Sequence, residues 1–148
     1  MESIYDIADY FLSKEAMTHK KLQKLCYYAQ AWHLANFGEP LVPNRFEAWV
    51  HGPVCPDLYC KYKDWGWATI PMNHKITTLG EKIKKYLDKV YEIYHQYDGD
   101  ELEKMTHMEL PWQEARGDCR AWDYSRNPIL WDTMKRYYAK RIGKSYEY

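Results

Sequence analysis

Along most of the chain, apolar residues return every three or four positions, which is the spacing of one face of a helix. Ile4, Ile7, Ala8, Phe11 and Leu12 predict a first helix over 4–13, with Ser3 as its cap and Asp6 in its first turn. A second helix is expected from Thr18 to Phe37, where Gly38 offers a stop. Its second half has almost no polar side, which predicts a helix surrounded by other elements. The stretch 39–70 breaks this rhythm at Pro40, Pro43, Pro53 and Pro56, and Phe46–Val50 reads as a short extended piece. Pro56 opens a short helix over 57–65 that Gly66 ends. A brief strand is expected at Lys75–Ile76.

Thr78-Leu79-Gly80-Glu81 matches a capping box ahead of a stripe made by Ile83, Tyr86, Leu87, Val90, Tyr94 and Tyr97. Asp98-Gly99 ends that helix. Asp100, with Glu103 at the boxed position, caps a shorter helix to Met108, and Pro111 restarts one over 112–116. A polar loop, 117–126, precedes a last helix from Asn127 and Pro128 to Ile142, closed by Gly143. The pattern predicts one all-α domain over 1–148, built around a central apolar helix, with at most a short extended segment near 46–50.

Composition narrows the function classes. Lys+Arg and Asp+Glu both number 21, so the net basic surface that phosphate binding requires is missing and nucleic acid is not the expected partner. No apolar run reaches membrane-spanning length, and the start of the chain is acidic where an export signal is basic and apolar. A cytoplasmic location is expected, with Cys26, Cys55, Cys60 and Cys119 as free thiols. Seven Trp and fifteen Tyr stand against three Phe, a bias toward rings with a polar tip that suits both tight cores and protein interfaces.

The order of several motifs extends the reading. Ile7-Ala8-Asp9-Tyr10-Phe11, the block Lys21-Leu22-Gln23-Lys24-Leu25-Cys26-Tyr27-Tyr28-Ala29-Gln30-Ala31-Trp32, the block Glu47-Ala48-Trp49-Val50-His51-Gly52-Pro53-Val54 with Pro56-Asp57-Leu58-Tyr59, and the run Met105–Ala115 resemble the Panacea domain of the SocA-like antitoxin family, which also occurs in phage-associated proteins. The resemblance runs from about residue 4 to about 140. It implies a helical antitoxin that neutralises a cognate toxin protein by direct contact, in a heteromeric complex and without catalysis.

Each candidate residue has a structural and a functional reading. The 22–32 block is expected in the core, with Lys21 and Lys24 facing partner or solvent. In Trp49-Val50-His51-Gly52-Pro53, Gly and Pro fix a turn that can hold a Trp and a His in one orientation. The structural alternative packs Trp49 on the second helix and lets His51 cap a carbonyl. Trp65 and Trp67 flank Gly66 at a helix end, and Trp122 lies in the polar loop, where rings are hard to explain as core. Trp49, His51, Trp65, Trp67 and Trp122 are therefore the expected partner-binding residues.

His51, Cys55, Cys60, His107 and Cys119 lack the two close ligand pairs of a structural zinc site, so no metal is expected. No nucleophile elbow, phosphate loop or His-Glu-x-x-His helix is present, so no cofactor, catalytic residue or enzymatic activity is expected. Two rival readings remain: a DNA-binding autoregulator using Lys14, Lys20, Lys21 and Lys24 or the last helix, and a hydrolase or transferase using Cys55 or His51. Seven acids over 98–118 and five bases over 135–144 are read as solvated faces, or as patches that steer a partner.

Overall fold

A computed structural model describes residues 1–75 and 77–142. Its described residues form seven α-helices and two small antiparallel sheets, so the chain is mainly helical as the periodicity predicts. α1 (Ile4–Leu12) starts at Ser3, whose hydroxyl accepts from the Tyr5 N–H. α2 (His19–Phe37) is capped by Thr18 and ends at Gly38, which takes the left-handed φ of 75°. Around α2 pack α1, α3 (Pro56–Tyr62), α4 (Glu81–Tyr94), α5 (Gly99–His107) and α7 (Trp131–Ala139).

The polar residues of α2 explain how a helix can be enclosed on all sides. Gln30 accepts from the Leu41 and Val42 N–H groups and donates to the Val42 carbonyl. Gln23 accepts from the Cys55 N–H and donates to its carbonyl. Both amides supply partners to backbone that has no helix or sheet of its own, which is how the proline-rich 39–55 stretch can be buried without orphaned polar groups. Lys21 and Lys24 are buried as well, contrary to the expected exposure. Lys21 reaches Glu15 and the His95 carbonyl.

The extended piece near 46–50 is one arm of a hairpin, β2 (Glu47–Trp49) and β3 (Gly52–Val54), with Trp49 opposite Gly52. The other sheet pairs β1 (Met17–Thr18) with β4 (Thr69–Ile70). Lys75 carries no strand, and Ile76 lies outside the described residues, as does Gly143.

Three helix starts move from their predicted places. At α4 the cap position is Gly80, with no side-chain cap, because the Thr78 hydroxyl reaches Asp6 of α1 instead. At α5 the capping box is Asp98 with Glu101, two residues early. Asp100 and Glu103 are drawn to Lys20 of α2, and Gly99 lets α5 approach α2 so closely that a Cβ would lie 3.2 Å from the Lys21 nitrogen. α7 begins at Trp131, because Asn127–Ile129 is extended along β2. The Ala48 N–H donates to Asn127 and the Ile129 N–H to Phe46, both at 2.8 Å. The short helix over 57–65 is α3 followed by a 3-10 turn, Lys63–Trp65. α6 (Leu110–Arg116) completes the set.

Candidate partner-binding cleft

A cleft of about 320 Å³ opens between the first half of α2, the β2–β3 hairpin and the α3 end. Trp49, His51 and Trp67 line it together with His19, Lys24 and Tyr59. Trp49 meets Tyr59 edge-on with centroids 4.9 Å apart, and its Nε1–H donates to Glu47 at 2.8 Å. Trp67 is 71% exposed, lies edge-on to His51, and has the Lys20 ammonium 5.3 Å from its ring centre.

His51 sits in the hairpin turn with its Nδ1 3.2 Å from Glu103. It therefore faces a carboxylate on α5, not the carbonyl of the structural alternative. Trp49 packs on α3. Gly52 permits this turn: its φ is 105°, and a Cβ there would lie 2.5 Å from Lys24 Cε.

Among the described residues no Asp or Glu lines the cleft, and the nearby acids Asp100 and Glu103 act through Lys20 and His51. Lys20 is paired with Asp100 and Glu103 at 2.7 Å each, and those carboxylates hold its ammonium above the ordinary lysine range despite burial. Burial works to raise Glu103, but Lys20 and His51 outweigh it and hold the carboxyl low. Lys24 is 1% exposed and donates to the Pro53 carbonyl at 3.2 Å. Burial pushes its amine down to about 7, with Glu103 resisting and Lys20 assisting. Burial and the nearby Lys24 charge push His19 down to about 4.

Behind the hairpin, Trp112 donates to the Trp49 carbonyl and stacks on His107 at 3.9 Å, an anchor that holds the cleft wall from the core side. Burial lowers His107, against the pull of Glu103.

The other two expected rings are not in the lining. Trp65 is half-exposed in the 3-10 turn, and Trp122 stands exposed on the 117–126 loop near the Arg120 guanidinium. That loop is organised from inside by the buried Arg116, which donates to the Ala48, Arg120 and Asp123 carbonyls. Glu103 was not an expected site residue, and Lys24, expected to face partner or solvent, lies buried at the cleft.

The rival chemistries gain little from this geometry. Lys14 pairs with Asp88, Lys20 and Lys21 are held as described, and Lys24 is buried, so these four form no open basic face. Burial pushes the Cys55 thiol up to about 11, away from nucleophilic thiolate. Among the described residues no group of three or more His, Cys, Asp or Glu is placed to hold a metal, and no helix is long and apolar enough to cross a membrane. The acids of 98–118 are largely spent within the fold: Asp100 and Glu103 on Lys20, Glu109 on two tyrosines, Glu114 on Thr133.

Residues 22–113, more than half of the chain and most of the cleft, match the sequence model of the family described as Antitoxin SocA-like, Panacea domain. The chain is also similar to Antitoxin SocA of Caulobacter vibrioides, 41% identical over 58 residues. That alignment covers 36% of this chain and 31% of the relative, so the match spans about a third of that protein's length. No solved structure matches. With the motifs, the helical fold and the family match in agreement, the chain belongs to the SocA-like antitoxin family and carries its Panacea domain.

Proposed function

We propose that this chain is the antitoxin of a toxin–antitoxin pair, neutralising a cognate toxin protein in the cytoplasm by direct binding and without catalysis of its own. The observation that carries the reading is family membership over the residues that build the cleft. A relative named as an antitoxin supports it. The contact face is the cleft with its rim: Trp49, His51 and Trp67, extended by Trp65, with Trp122 as an outlying contact. A ring as exposed as Trp67, held in place by Lys20 and His51, has the properties of an interface anchor: large, rigid and amphipathic.

The test is genetic and then physical. The open reading frame beside this gene is induced alone and then with this chain. Growth arrest relieved by co-expression, and a complex that co-purifies, is the expected result. A harmless neighbour, or arrest that persists, defeats the reading. A Trp67→Ala chain that folds but rescues as well as wild type moves the contact face elsewhere.

A further inference from the structure

The cleft holds three lysines in unequal circumstances. Lys20 is neutralised by two carboxylates. Lys63 stands exposed at the rim. Lys24 is the deepest, and among the described residues its ammonium has one acceptor, the Pro53 carbonyl, for three N–H groups. A buried ammonium is tolerated where its charge is matched, and Glu103, the carboxylate acting on it, is already engaged by Lys20 and His51.

We propose that the cleft receives the carboxylate side chain of an acidic peptide segment on the partner protein, with Lys24 as its counter-ion and Trp49, Tyr59 and Trp67 packing its apolar flanks. The partner's identity rests on the antitoxin reading; the chemistry of the cleft does not. Three features select this occupant. Among the described residues no Asp or Glu lines the cleft, and with Lys20 already paired and His19 neutral, Lys24 within and Lys63 at the rim supply the charge that complements an anion. The volume suits a few side chains, not a helix or a strand. The walls are rings rather than the backbone N–H cradle or arginine fork that grips a phosphate.

Binding is coupled to a proton. Lys24 faces His19 and Lys20 from α2, His51 from the hairpin turn, and Glu103 and His107 from α5. In that setting its amine is close to half protonated at neutral pH. A carboxylate favours the charged amine, so affinity weakens as pH rises beyond 7.

The experiment uses the full chain with lysines labelled at the side-chain nitrogen. Two acetylated, amidated pentapeptide pools with randomised flanks are titrated in, one with Glu and one with Gln at the centre, and inorganic phosphate forms a third arm. The Glu pool is expected to bind at least about tenfold tighter than the Gln pool, to move the Lys24 signal, and to bind several-fold more weakly at pH 8.5 than at pH 6.5. Lys24→Met abolishes the preference. If that chain does not fold, Trp67→Ala and Lys63→Ala, at exposed positions, weaken it several-fold.

Equal binding of the two pools, no binding of the Glu pool, phosphate binding as tightly as the Glu pool, or unchanged affinity in the variants overturns the proposal. A Glu preference alongside a neighbouring gene that needs no neutralising leaves the site standing and sinks the antitoxin reading. Full rescue of growth by a chain that shows no Glu preference does the reverse.

Discussion

Glu109, half-buried against α2, and Lys24, buried within it, are treated in opposite ways. Glu109, at the start of α6, accepts from the Tyr28 and Tyr138 hydroxyls at 2.9 and 2.7 Å. It belongs to an aromatic cluster in which Tyr28 stacks on Tyr94 at 4.1 Å and Tyr27 reaches Tyr138. Lys24, toward the other end of α2, has one carbonyl and an open cleft. Burial pushes Glu109 up to about 7 and Lys24 down to about 7. Glu109 is furnished with donors by its neighbours, the arrangement of a group that holds a fold together. Lys24 is under-furnished where a cleft opens, whereas Glu109, which also borders a cavity of about 440 Å³, is already engaged by two hydroxyls. Burial alone does not distinguish structure from function; the number of partners does.

The comparison can be broken most forcefully at Gly52. Gly52→Ala forces a Cβ against Lys24 in a left-handed backbone, and a loss of about 2–3 kcal/mol in urea denaturation is expected. A loss below about 0.5 kcal/mol means that the hairpin and Lys24 are not packed as described.

Next come the pH profiles. The folded Lys24 amine lies below its unfolded value, so its contribution to stability is present at high pH and is lost as pH falls from about 10.5 toward 7. The folded Glu109 carboxyl lies above its unfolded value, so its contribution is present below about 4.5 and is lost as pH rises toward 7. His19, depressed to about 4, opposes Glu109, since it loses stability as pH falls below about 6.5. Lys24→Met therefore gains on wild type as pH is lowered from 10 to 7 and holds that gain below 7. Glu109→Gln gains on wild type between pH 4.5 and 7. Thermal denaturation across pH checks both, and parallel curves for wild type and variant remove the distinction.

Tyr138→Phe deletes one donor to Glu109 and is expected to cost about 1 kcal/mol. Smallest in stability is Trp67→Ala, within about 0.5 kcal/mol of wild type at so exposed a site. Its effect is expected in binding of the proposed toxin partner, at roughly tenfold or more by pull-down or calorimetry.

Helix existence was legible because the apolar stripes of α1, α2 and α4 are strong local signals. Caps were less so. Thr78-x-x-Glu81 satisfies the local rule, but Thr78 has a better use against Asp6, and Asp100 and Glu103 have one against Lys20. Such choices are made by residues more than seventy positions away, which no local window contains. The Trp49-x-His51-Gly52 turn could be picked out because Gly and Pro constrain it in sequence. Its neighbours Lys24 and Glu103 could not, since only the packing of α5 on α2 brings them beneath it. Trp122 had an exposed ring in its favour and nothing that tied it to the cleft.

The segment Asn127–Ile129 lies along the outer edge of β2, so the hairpin that carries Trp49 and His51 has that edge covered only when a stretch nearly eighty residues later joins it. During synthesis the edge of β2 is left bare until that stretch leaves the ribosome, and α7, which packs on α2, emerges later still. A chain cut short before Asn127 thus has six of the seven described helices and an unsealed Trp49–His51 hairpin. One wall of the cleft depends on a segment made after those six helices.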